Sequence, residues 1–287
     1  MIISILVMIT NPEEREDKWQ EAFKCYEDFA DEVVVVNGGD TAPSMEYLKD
    51  HPKIKIVDLL WPYEWNWAEL PRHLNAGREK CTGDWIIKLD IDQFLDHKDF
   101  SIIRKELAEC PKKCQQATFQ KITPLFGGKY YQKGGMPIAF RNLPNIKIGI
   151  NMEERTDLCF AVDTTDCEPV PIDLGDYIYE IPKGNSLETF RTGISYWNYD
   201  YFFKTKEFTK KEFWRFSRAY QRYFGSWKFG HSEKKSFMLF MGAQKSRYNK
   251  GIDKYPLEKH PVYIREAVKN LKPEQFGFNA WGEYEKV

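Results

Sequence analysis

The chain has 287 residues, 42% of them hydrophobic and 16% aromatic, enough to bury a sizeable core in one large domain or a domain with an appendage. Its formal net charge of −1 gives no global basic field, so nucleic acid is not the default partner. No apolar run is long enough to span a bilayer, and the six cysteines show no zinc-finger spacing, Cys110 and Cys114 being suitably spaced but lacking a partner pair; free thiols in a reducing, cytoplasmic compartment are the expectation.

Ile2 to Ile9 is a near-continuous apolar run without the basic flank or small-residue cleavage site of a leader, so it reads as a first buried strand. Asn11 as N-cap, Pro12 at the first helical position and Glu14 in a capping-box relation predict a helix that starts at once. Its buried stripe would be Trp19, Ala22, Phe23, Tyr26, Phe29 and Ala30. Glu32 to Val36 reads as a second buried strand ending in the loop Asn37-Gly38-Gly39-Asp40. A short helix over 44–50, a strand over 54–59, an aromatic loop from Trp61 to Trp67 and a helix over 68–81 continue the alternation. A fourth strand, Trp85 to Leu89, precedes a helix over 100–108 with Asp99 as its expected N-cap. The first hundred residues thus read as a βαβαβαβ array with a mostly parallel sheet.

Beyond Cys110 the pattern changes. Short strands are expected over 116–123, 129–132, 137–141 and 177–181, with 142–173 as an acidic, loop-rich stretch. From Phe208 the chain turns helical: Phe213, Phe216, Tyr220, Tyr223, Phe224 and Trp227 form an apolar stripe opposite Lys211, Arg215, Arg218 and Arg222. That basic face reads either as a solvated surface or as a peripheral contact of 208–228 with an anionic membrane or acidic acceptor. Two further helices are expected over 232–248 and 261–271.

Asp90 and Asp92 follow the fourth strand at i, i+2. Placed at the carboxyl end of a parallel strand, two hard oxygen donors suit Mg²⁺ or Mn²⁺ bound with the help of a diphosphate. Asn75-Ala76-Gly77, then Gly83-Asp84-Trp85-Ile86-Ile87, then Leu89-Asp90-Ile91-Asp92 resembles the central signature of family 2 glycosyltransferases with the GT-A fold. The resemblance covers roughly residues 1 to 100. It implies a mostly parallel central sheet with helices on both faces and a helical C-terminal extension. Residues 1–110 would be the nucleotide-sugar-binding half, 111–200 the acceptor-side half of the same domain and 201–287 the extension.

The resemblance also implies site roles. Thr10 and Asn11 would line the nucleotide pocket, Asn37 and Asp40 would lie near base and ribose, Asp90 would face ribose or metal, and Asp92 would bind the cation. A less extensive match, Ile138-Ala139-Phe140-Arg141-Asn142 followed by Ile150-Asn151-Met152-Glu153, implies Glu153 as the base that deprotonates the acceptor, with Glu154 and Asp157 as substitutes. Asn37, Gln93 and Met152 depart from the family pattern, which commonly has Asp, Glu and His there. Asn198, Asp200 and His231 are further candidates for the metal shell, and Lys204 and Lys206 for the diphosphate. Trp61, Trp65 and Trp67 would stack on a base or sugar, or pack under the sheet edge. The implied activity is an inverting, metal-dependent transfer from a nucleoside-diphosphate sugar to a hydroxyl on a glycan, lipid or protein glycan. The alternatives are a non-catalytic sugar- or nucleotide-binding module and, last, a nucleotidyltransferase, whose Gly-rich basic phosphate loop is missing after the first strand.

Overall fold

The computed structural model describes residues 1–39, 43–64, 66–151, 159–172, 176–181, 187–252 and 256–278. Expectations placed on Asp40, Trp65, Met152, Glu153, Glu154 and Asp157 lie outside the described residues.

The central sheet contains β1 (Ile3–Ile9), β2 (Glu32–Asn37), β3 (Ile54–Asp58), β4 (Trp85–Asp90), β5 (Gln93–Leu95), β6 (Gln116–Pro124), β7 (Tyr130–Arg141) and, after a second sheet, β12 (Thr189–Asn198). Its order is β3-β2-β1-β4-β7-β6-β12-β5. The first four strands are parallel, whereas β7 runs antiparallel to both β4 and β6. The second sheet, of order β10-β11-β8-β9, is built from β8 (Ile146–Asn151), β9 (Cys159–Asp163), β10 (Pro169–Pro171) and β11 (Tyr177–Ile181).

Alternation along the buried strands gives each face its own core. On one face Ile5, Val7, Val33, Val35, Ile87 and Leu89 pack with Phe23 and Tyr26 of α1 (Trp19–Phe29) and Ile103 of α4 (Phe100–Glu109). On the other, Leu6, Val34, Val36 and Ile86 pack with Leu74 of α3 (Glu69–Arg78) and with Ile146 and Ile148 of the small sheet. The helix comes close because Gly77 has no side chain: a Cβ there would lie 2.4 Å from Val36 Cγ2 and 2.6 Å from Leu6 Cδ1. From β1 the chain winds outward through β2, α2 (Pro43–Lys49) and β3, then returns to place β4 on the opposite side of β1. The carboxyl ends of β1 and β4 therefore flank a topological switch point, where open α/β sheets form their crevice. This is the α/β arrangement expected from the sequence, a mostly parallel central sheet with helices on both faces.

Several local expectations are corrected. The first helix begins at Trp19, with Lys18 at its N-cap, and the Asn11/Glu14 capping box does not form. Residues 12–16 make turns instead, with Asn11 and Glu16 at positive φ, because Arg15, Glu16 and Asp17 bond to the C-terminal helical region. Asp99 does stand at the N-cap of α4, as expected, but its side chain makes no cap bond; Asp96 caps the short 3₁₀ turn over His97–Asp99 that precedes it. Segments 129–132 and 137–141 belong to one strand, β7, which crosses Gly134, Gly135 and Pro137 through irregular register against β6. The stretch 142–173 holds three strands rather than loop alone, and β5 and β12 had no expected counterpart. In place of a helix over 261–271 there is a 3₁₀ turn, Val262–Ile264, followed by α7 (Arg265–Lys269).

α5 (Lys206–Phe224) and α6 (Glu233–Asn249) close the molecule. The apolar stripe of α5 faces inward: Phe216 and Tyr220 meet buried Trp67 edge-on, and Phe213 meets Phe240. Among the described residues no helix is long and apolar enough to cross a membrane.

Candidate active-site cleft

A cleft of about 330 Å³ opens at the switch point, within the size range of small-molecule sites. Its walls include Thr10 just past β1, Trp61, Lys88, Asp90 and Asp92 around the end of β4, Lys121 of β6, and Tyr196 and Asn198 of β12. Arg15, Asp17, Asp200, Glu212 and Arg215 complete its charged lining.

The acidic turn is fixed from below. Tyr26 of α1 places its hydroxyl 2.7 Å from the Asp90 carbonyl and 2.8 Å from the Gln93 carbonyl, so one of the two takes its proton. The Tyr199 amide donates to the Asp92 carbonyl at 2.9 Å. The two carboxylates differ in their surroundings. Asp90 accepts from Lys88 Nζ at 2.7 Å on one oxygen and from Gln93 Nε2 at 2.8 Å on the other. Burial works against its charge, but Lys88, with Lys121 and Arg15 further off, holds it below the ordinary carboxylate range. At Asp92 the charge of Lys204 also favours the carboxylate but is outweighed. Its Oδ1 is buried without a hydrogen-bond partner among the described residues, and burial together with the charges of Asp200, Asp90 and Asp17 pushes its carboxyl up to about 8.

The rest of the acidic wall is braced. Asp200 takes a left-handed backbone, φ 31°, and its amide donates to Asn198 Oδ1 at 3.0 Å. Asp17 and Lys204 are both nearly fully buried and pair at 2.7 Å, while Arg15 meets Glu212 at 2.7 Å. These bonds tie the loop after β1 to α5.

A divalent cation tests well against this set. The orphaned Asp92 oxygen and the crowd of carboxylates around it are what a cation would relieve, and Mg²⁺ or Mn²⁺ is commonly held by one or two carboxylates plus substrate phosphates. Among the described residues no group of three or more His, Cys, Asp or Glu is disposed to hold a metal without such help.

The structure brings Thr10, Asp90, Asp92, Asn198 and Asp200 together in one cleft. Asn37 sits at the end of β2 outside that lining: its Nδ2 donates to Asp58 at 2.9 Å and its Oδ1 accepts from the Gly39 amide at 3.2 Å. Asn11, also outside the lining, lies against Gly39. Lys204 is engaged by Asp17 and the Arg15 carbonyl, and His231 is exposed at the foot of α6. Trp61 lines the cleft and stacks on His73 at 4.0 Å, whereas Trp67 is core. Sequence reasoning missed Arg15, Lys88, Lys121 and Tyr196. Lys88 carried a signal, since it precedes Asp90 by two residues on the same strand face. Lys121 and Tyr196 did not, because they meet only through the β6–β12 register.

No protein-family model matches the sequence, and no curated protein does. Solved structures give partial likenesses. TarS residues 1–349 from S. aureus shares 16% identity at a TM-score of 0.36, over 50% of this chain and 47% of that one. The mannosyltransferase PcManGT from Pyrobaculum calidifontis, in complex with GDP-Man and Mn²⁺, shares 16% at 0.33, over 48% and 44%. Glucosyl-3-phosphoglycerate synthase from Mycobacterium tuberculosis, in complex with Mn²⁺, UDP and phosphoglyceric acid, shares 16% at 0.31, over 42% and 43%. The chain spans less than half the length of each of these solved chains. At these identities and scores the likeness carries no inference about substrate or residue roles.

Proposed function

We propose that the protein is a metal-dependent, inverting glycosyltransferase that moves a sugar from a nucleoside diphosphate to an acceptor hydroxyl. The observation that carries this reading is Asp92: a buried carboxylate with an unpartnered oxygen, at the mouth of β4, in the switch-point cleft. Asp92, with Asp90 beside it, would hold Mn²⁺ or Mg²⁺, and the bound cation would neutralise the leaving diphosphate. Lys88, Lys121 and Arg15 add positive charge to the same cleft for the donor's phosphates. Trp61 offers an aromatic face for the base or sugar, and Thr10 a hydroxyl at the end of β1. Asn11, Asn37 and Asp40 keep only the roles the sequence resemblance implies, in the nucleotide pocket and near base and ribose.

In the proposed reaction the acceptor oxygen forms a new bond to the anomeric carbon as the bond to the diphosphate breaks. The acceptor's proton passes to Glu153, and the diphosphate leaves with the bonding electron pair. The acceptor would be a glycan, lipid or protein glycan. The free thiols of Cys25, Cys81, Cys110, Cys114 and Cys167 support a reducing compartment.

The test is turnover of a nucleotide-sugar panel with Mn²⁺, followed by product anomer analysis. Glu153→Gln is expected to retain donor binding and lose transfer; unchanged turnover would remove Glu153 as the base. A second reading, a binding module without turnover, draws on the full engagement of Asp90 by Lys88 and Gln93. It predicts donor binding with neither transfer nor hydrolysis in the wild-type chain.

A further inference from the structure

The charge of this chain is distributed unevenly. Residues 206–250 hold twelve lysines and arginines against three glutamates, although the whole chain has a formal net charge of −1. The two helices α5 and α6 are therefore a strongly cationic module on an otherwise acidic protein. Such an asymmetry marks a surface that meets a negatively charged partner.

α6 presents that surface. One side of the helix is committed to the fold: Ser236, Phe237, Phe240 and Gln244 are buried, and Phe240 packs against Phe213 and Tyr201. The opposite side carries Met238 and Leu239, 49% and 41% exposed, next to exposed Lys234, Lys235 and Lys245. At helical spacing these five side chains fall in the outward half of the cylinder. Just before the helix, Trp227 is 43% exposed and stacks on Trp214, with exposed Lys228 as its neighbour in sequence. α5 adds exposed Lys211 and Arg218 to the same module. Within α5 itself, Phe213, Phe216 and Tyr220 are taken up in packing against Phe240 and Trp67.

From this we infer that the outer face of α6 docks on an anionic lipid bilayer, with Met238, Leu239 and Trp227 entering the headgroup boundary and the lysines meeting acidic headgroups. The charges alone would suit any polyanion. Aliphatic side chains standing among them gain nothing from a phosphate backbone but gain by leaving water for acyl chains, and Trp favours the interface. Two lysines near an acidic membrane and two aliphatic side chains that are already half covered contribute comparably to binding. Neither part suffices alone, so binding should need both. This inference does not depend on the catalytic reading.

The test is co-sedimentation of the full chain with vesicles of phosphatidylcholine alone and of phosphatidylcholine with phosphatidylglycerol. The wild-type chain should bind the phosphatidylglycerol vesicles and lose most of that binding at high salt. Met238→Ser/Leu239→Ser and Lys234→Gln/Lys235→Gln should each weaken it about thirtyfold. Unchanged circular dichroism and melting temperature would exclude misfolding. Absence of binding to acidic vesicles would overturn the inference. So would duplex DNA or heparin competing fully while the Met238/Leu239 variant binds as well as wild type, since the partner would then be a polyanion. Self-association abolished by that variant, without vesicle binding, would make the face a dimer contact and overturn it equally.

Discussion

Glu32 holds the turn that aims β4, and its replacement by glutamine should be costly in a pH-dependent way. Its buried carboxylate accepts from Ser4 Oγ, from the Thr82 amide and hydroxyl, from the Gly83 amide and from Lys55 Nζ. Burial alone would raise its pKa, but the donors from Lys55, Ser4 and Thr82 prevail and hold it at about 2, against an ordinary 4.5. A shift of that size corresponds to about 3 kcal/mol of stability. Lys55 is half exposed and its contribution is screened, so about 2 kcal/mol is the expected working value. Because the folded pKa is depressed, this stability is fully present above pH 4.5 and is lost as pH falls from 4.5 towards 2. Glu32→Gln keeps the shape, loses the charge and turns an amide donor toward other donors. Urea unfolding of both proteins from pH 7 down to pH 3 should show a gap of about 2 kcal/mol that narrows steadily below pH 4.5. A gap that stays constant across that range would refute the electrostatic account of this turn.

Three other outcomes follow from the cleft. Asp92→Asn should remove the Mn²⁺ dependence of nucleotide binding yet raise metal-free stability by about 1–2 kcal/mol, since it replaces a carboxyl whose charged form is disfavoured by burial and by the carboxylates around it; calorimetry with and without the metal checks both halves. Lys204→Met should cost about 3 kcal/mol in urea unfolding, because it strips the buried Asp17 carboxylate of its 2.7 Å partner. Trp61→Ala should weaken nucleotide affinity about tenfold in titration calorimetry while leaving the Mn²⁺ requirement intact, if its face in the cleft receives the base.

The first half of the fold was legible because its strands are continuous apolar runs whose burial on both faces leaves little choice of structure. The position of Asp90 and Asp92 at the end of β4 was legible for the same reason, since the end of a buried strand can be read from where the apolar run stops. The first helix was misjudged at its start. Asn11, Pro12 and Glu14 satisfy a local capping rule, but Arg15, Glu16 and Asp17 spend their side chains on Glu212, Thr205 and Lys204, partners nearly two hundred residues away. β12 escaped notice because its alternation mixes Thr, Arg, Ser and Tyr with few aliphatic residues. With it went Tyr196, and with the β6 register went Lys121. The inward turn of the α5 stripe was hidden as well, because a helix pattern shows that one face is apolar but not what covers it.

On the proposed function, Asp92 and its cleft take a nucleoside diphosphate together with a divalent cation. Thermal-shift measurements with UDP, GDP, CMP and dTDP, each with and without Mn²⁺, test it most directly. A ligand at a hundred times its Kd adds about 2.7 kcal/mol to the native state, so one nucleotide should raise the melting temperature by about 5 °C, and only when Mn²⁺ is present. Equal shifts with and without the metal, or no shift with any nucleotide, would contradict it.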